Sequence, residues 1–157
     1  MAGNELQKDF KREVATLQRN IEMLADGTTA VVGTKEDPIV TNSELIPIKH
    51  YFMDGVYIRE MTMKKGIAVV GAVHKHLHMC FLLTGRVTVV NEEETVDHIA
   101  PCFIISTPGI KRVLYAHEDS IWFNTHKNPS NTDDVKQLEK EIVAISYEEY
   151  EEYIKNK

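Results

Sequence analysis

The chain has 157 residues, 43% hydrophobic and 27% charged, which suits one globular domain with a core of ordinary size. Its net charge of −6 argues against non-specific binding to nucleic acid or an anionic membrane. No apolar run approaches the roughly 20 residues of a membrane span, and the polar first residues carry no signal-peptide core. The expectation is a cytoplasmic protein in which Cys80 and Cys102 are reduced thiols.

In chain order, residues 4–25 predict an amphipathic helix. Leu6, Phe10, Val14, Leu17, Ile21 and Leu24 recur at spacings of three and four, with charged and amide side chains opposite. Two roles stay open for that stripe: cover for the domain's own core, or a coiled-coil-like contact between subunits. Residues 26–48 are punctuated by Gly27, Gly33, Pro38, Asn42 and Pro47 and predict an extended arm or edge strands. Short strands are expected over 55–63, 67–71, 73–83, 86–91, 94–99, 102–106, 111–116 and 120–126, separated by turn chemistry such as Thr84-Gly85 and Pro108-Gly109. Many short strands at regular spacing suggest a sandwich or barrel. Beyond them, Thr132-Asp133-Asp134 can cap a helix to about Ala144, and Ser146 with Glu149 forms a capping box for a last, acidic helix. The segments divide as 1–48 (helix and arm), 49–127 (barrel) and 128–157 (helical end).

The chemistry concentrates in His74-Lys75-His76-Leu77-His78. A strand sends alternate residues to one face, so the three imidazoles share a side, and imidazole is the commonest transition-metal ligand. Alternate Cα atoms on a strand stand roughly 6.5–7 Å apart, so a straight strand brings two rings to one ion more readily than three. His126, on the same face as Trp122 at the end of the last strand, is the best outside ligand. His117 lies in a polar turn; His50 and His98 stand alone and read as ordinary surface or strand-end histidines. The metal candidates are therefore His74, His76, His78 and His126. An all-imidazole set leans toward Zn, Ni or Cu over Mg or Mn.

The pattern Gly71-x-x-His74-x-x-x-His78, then six residues and Gly85, resembles the first motif of the cupin superfamily. Ala100-Pro101-Cys102-Phe103 through Pro108-Gly109-Ile110-Lys111-Arg112 resembles the second, and Tyr115 to His126 the closing strands. The resemblance spans about residues 51–127 and is nearest to small single-domain cupin-like proteins encoded by tailed phages. It implies a mainly β, cupin-type double-stranded β-helix (jelly-roll) barrel carrying an N-terminal amphipathic helix and C-terminal helices. It puts His74 and His78 at ligand positions, Ala72 where the first histidine belongs with His76 as its substitute, and Arg112 where the second motif's histidine belongs. Arginine stays protonated and cannot ligate a metal, but its fork of donors can hold an anion; a pairing of Arg112 with Glu118 or Asp119 is the plainer alternative. The implied cofactor is a divalent transition metal, Zn, Ni, Fe or Mn. With one ligand position replaced, the expected function is binding or structural rather than catalytic, the alternative being an oxygenase- or isomerase-like enzyme acting on an anionic small molecule. The expected partners are further copies of the chain, met through the N-terminal helix or outer barrel strands, an anionic small molecule and, for a phage protein, other virion components, in the host cytoplasm or the virion.

Overall fold

The computed structural model describes residues 2–24 and 43–157; of the arm expected over 26–48, residues 26–42 lie outside them. Helix α1 (Ala2–Leu24) is followed by strands β1 (Ile48–Met53), β2 (Val56–Met63), β3 (Ala68–Val70), β4 (Val73–His74), β5 (His78–Thr84), β6 (Arg86–Val90), β7 (Thr95–Ile99), β8 (Cys102–Ser106), β9 (Val113–Ala116) and β10 (Ser120–Lys127). Helix α2 (Val135–Ile142), the short strand β11 (Val143–Ala144) and helix α3 (Tyr147–Lys155) close the chain.

The strands form two facing antiparallel sheets in the orders β1-β2-β10-β5-β8 and β3-β9-β6-β7. The hairpin of β6 with β7 continues across the fold as β5 with β8, and the β10–β9 ribbon lies along β2 and β3 as it does along β5 and β6. Two antiparallel ribbons wound together in this way make a jelly-roll barrel. Inward residues of both sheets fill it: Met61, Met63, Cys80, Leu82 and Trp122 from one, Val87, Val89, Leu114 and Ala116 from the other. Gly85 turns the chain from one sheet to the other at φ +84°. A Cβ there would meet Ser120 Oγ at 2.2 Å and Asp119 O at 2.5 Å, so only glycine fits.

Three sequence expectations change. The single strand 73–83 is two strands, broken by bends at Lys75 and His76. The break follows from a partner of higher demand: β4 leaves the main sheet to pair with β11, Val143 opposite His74, and Lys75 N donates to Ile142 O at 2.8 Å. The helix expected to reach Ala144 accordingly stops at Ile142, and its last two residues become β11. Strand β1 lies before the first strand expected from the pattern.

The ends hold as capped helices. Asp134 accepts from Lys136 N and Gln137 N at the start of α2. Ser146 accepts from Glu149 N, while the Glu149 carboxylate takes Ile145 N at 3.0 Å, so the box closes one residue early. Leu138, Ile142 and Val143 bury themselves with Tyr57 in a second cluster that covers one end of the barrel. Helix α1 lies against the barrel: Val14 is buried, Leu17, Gln18 and Ile21 line an internal cavity, and Lys111 Nζ bonds Gln18 Oε1 at 2.7 Å. Of its stripe, Val14 is buried against the rest of the chain while Leu17 and Leu24 stay exposed. No helix among the described residues is long and apolar enough to cross a membrane.

Candidate metal centre

His74, His78 and His126 converge. Their ring centroids lie 4.0 Å (His74–His78), 4.5 Å (His78–His126) and 5.1 Å (His74–His126) apart. One ring nitrogen of each lies within 4.8 Å of the others, and all three residues are buried. The break at 75–77 makes this possible, because it swings His74 back over His78 instead of leaving it two places along a straight strand. His126 comes from the neighbouring strand β10, two places past Asn124, which faces Cys80 across the β10–β5 register. Three of the four sequence candidates therefore meet. His76 does not join them: it sits in the bend, and its Nε2 lies 3.0 Å from Glu141 O in α2.

The environment holds the rings neutral. Desolvation first, then the neighbouring imidazoles and the Arg59 guanidinium, keeps His74 and His126 well below the usual histidine value. His78 is pushed down to about 4, chiefly by burial, with Arg112 and Arg59 adding to it. Neutral imidazole is the form that ligates. His78 Nδ1 lies 3.2 Å from His76 O; a donor there, the second-shell arrangement common to ligating histidines, leaves the lone pair on Nε2, which lies 3.5 Å from Cys80 Sγ. His74 Nδ1 and His126 Nε2 are buried with no hydrogen-bond partner among the described residues. Orphaned buried nitrogens cost stability unless something meets them, and a metal ion is what a three-imidazole cluster fits. This three-histidine group can hold a metal ion.

Beside the cluster, Asn124 Oδ1 accepts from Trp122 Nε1 at 3.1 Å and from the Cys80 thiol at 3.2 Å. Burial raises that thiol to about 11, so it stays protonated. A cavity of about 460 Å³ reaches from His74, Cys80 and Asn124 to Arg59, Lys111 and Arg112. Arg59 is paired with the buried carboxylate of Glu139 at 3.3 Å. Arg112 is buried; its Nη1 donates to Ser106 Oγ and its Nε has no partner among the described residues. It pairs with neither Glu118 nor Asp119: Asp119 instead takes Lys64 at 2.7 Å. Of the other histidines, His50 Nδ1 lies 2.7 Å from Tyr57 Oη, with its Nε2 buried and unpartnered among the described residues, and His117 Nε2 lies 2.6 Å from Thr88 Oγ1. Asn124 and Arg59 were not singled out from the sequence. Both occupy inward places in their strands' alternation, Trp122-Asn124-His126 and Tyr57-Arg59-Met61, where a polar residue among apolar ones is the available signal.

No protein-family model and no curated protein matches the chain. Solved structures do. Salicylate 1,2-dioxygenase from Pseudoaminobacter salicylatoxidans superposes with a TM-score of 0.51 at 11% identity, over 78% of this chain and 32% of that one. The fold is a cupin-type jelly roll. A cupin superfamily protein from Desulfitobacterium hafniense (TM-score 0.49, 10% identity, 62% of this chain and 95% of that one) is similar too. So is an RmlC-like cupin from Methanocaldococcus jannaschii (0.48, 11%, 57% and 85%). Within this cupin-type barrel, the likeness at such identities is one of fold, and chemistry has to be argued from the site.

Proposed function

We propose that this cupin-type protein binds one divalent transition metal through His74, His78 and His126 and acts as a binding protein rather than an enzyme. The observation that carries the metal is the meeting of three buried neutral imidazoles, two of them with an unpartnered buried nitrogen. All-nitrogen ligation favours Zn or Ni, with Fe and Mn as further candidates. Bound there, the ion would supply Lewis acidity at whatever coordination position the protein leaves open. The non-catalytic half rests on the cavity walls. Among the described residues that line it there is no carboxylate, its thiol is held protonated, His74 belongs to the metal cluster, and Lys111, lowered by burial, is tied to Gln18 Oε1 and Ile145 O. The second reading, a metal-dependent enzyme acting on an anionic small molecule, draws its support from one fact: His74 and Arg112 face the same cavity.

A partner follows from the outer face of the five-stranded sheet. Met79 lies opposite Ile105, and Phe81 lies opposite both Phe103 and Phe123, all pointing away from the core. Phe103 is 61% and Ile105 59% exposed. With Tyr51, Met79 and Leu83 they leave on the order of 500 Å² of apolar side chain in water, within the roughly 300–600 Å² of a typical monomer's largest patch, which is often a contact site. That area approaches the roughly 800 Å² per partner of a standard interface, and a flat face is self-complementary about a two-fold axis. The proposed occupant is a second copy of the chain.

Elemental analysis of untagged protein tests the metal. Near-stoichiometric metal, or its uptake on adding Zn or Ni, is expected, with loss in the His78→Ala variant. Protein that neither carries nor takes up either ion overturns the proposal.

A further inference from the structure

The cavity beside the cluster holds an unanswered charge. Arg112 is 7% exposed, yet among the described residues no carboxylate lies within ion-pair distance of it. A guanidinium carries five N–H donors. Here Nη1 has Ser106 Oγ, and Nε has nothing. Burying a charge without a partner is costly, and removing water from one is justified where a ligand supplies the opposite charge. The other cations on the same walls are already engaged. Arg59 has Glu139, and Lys111 Nζ has Gln18 Oε1 and Ile145 O, with the carboxylates of Glu148, Glu22 and Glu92 acting on it from a distance. Neither Lys111 nor Arg112 has a carboxylate at ion-pair distance among the described residues, but Lys111 Nζ has two acceptors while Arg112 Nε has none, so Arg112 is the cation with a donor left to offer.

The rest of the wall says what kind of ligand meets Arg112. Ile46, Met61, Val69, Leu114 and Trp122 line the cavity opposite its polar end. Its volume of about 460 Å³ lies in the range of small-molecule sites, which are mostly apolar with a few fixed polar groups. We infer that the cavity is a binding site for a small carboxylate with an apolar body. Its carboxylate meets the Arg112 guanidinium, and its body lies against Met61, Leu114 and Trp122. Inorganic phosphate has no apolar body to set against those side chains. Ser106 acts as a positioning residue: its hydroxyl accepts from Nη1 and so fixes one end of the fork. The site uses this chain's own arginine and holds whether or not the histidine cluster is loaded.

Calorimetric titration with octanoate, octanol and inorganic phosphate tests it, each with and without EDTA. Octanoate should bind wild-type protein at least about tenfold more tightly than octanol, since a charge-assisted bond at a buried arginine is worth about 1.5–3 kcal/mol. It should also outbind phosphate. Arg112→Gln should lose that preference and bind the acid and the alcohol alike, with an unchanged circular dichroism spectrum. Octanol binding as well as octanoate to wild-type protein overturns the inference, and that comparison stands even if the variant does not fold. Undiminished octanoate binding by Arg112→Gln overturns it too. Octanoate binding abolished by EDTA would mean that a metal, not Arg112, holds the anion; this would overturn the inference while leaving the metal proposal intact.

Discussion

His78 shows how one buried ring links the site to the stability of the whole chain. Its folded-state value lies at about 4, and unfolding returns it to 6.5. Between those values the unfolded chain binds a proton that the folded chain does not. Stability of the metal-free protein is therefore full above about pH 6.5 and falls as the pH drops toward about 4. His74 and His126, held down by the same burial, steepen the fall. Urea midpoints measured across this window should decline on acidification, and His78→Asn should flatten the decline. A midpoint that stays level through the window would mean that the three rings are hydrated and not packed as described. Arg112 makes the contrasting case at this scale: it is buried with no carboxylate at ion-pair distance among the described residues, and a ligand is the natural answer to it.

At the level of elements, much was legible and the errors share a cause. The strand alternation placed His126 beside Trp122 on the inward face, and Gly85 marked the turn between two strands. The break at 75–77 was not legible, because alternation carries straight through His74, His76 and His78. The strand ends there for a reason sixty-odd residues away: Val143 pairs with His74 and Ile142 O takes Lys75 N. A local pattern cannot register a partner supplied by the far end of the chain. The same pairing drew Val143 and Ala144 out of the helix that their neighbours favour. Strand β1 is a different kind of miss. Asp54-Gly55 joins it to β2 in a two-residue hairpin, Met53 opposite Val56 with Gly55 at φ +70°, and Asp-Gly between strand-forming residues is a standing signal for that turn. The outward and inward faces of β5 were told apart correctly by alternation. Even so, the sequence could not say that helix α1 lies along the cavity rather than on the outer sheet.

Over the whole molecule, function divides between an inside and an outside. The lumen buries three histidines and an arginine beside a mostly apolar pocket. The outer face of the five-stranded sheet leaves Phe103 and Ile105 in it. Sedimentation velocity should show a dimer, dissociated in the doubly substituted Phe103→Asp, Ile105→Asp variant, whose monomer keeps its fold because neither side chain reaches the core. A wild-type monomer at concentrations well above micromolar would show that the face serves some other contact. The central claim, however, is the metal centre. Its most direct measurement is X-ray absorption on Zn-loaded protein. The account predicts a first shell with three imidazole nitrogens at about 2.0–2.1 Å, reduced by one in His126→Ala. A shell of oxygens without the multiple-scattering signature of imidazole, or one unchanged by that substitution, would contradict it.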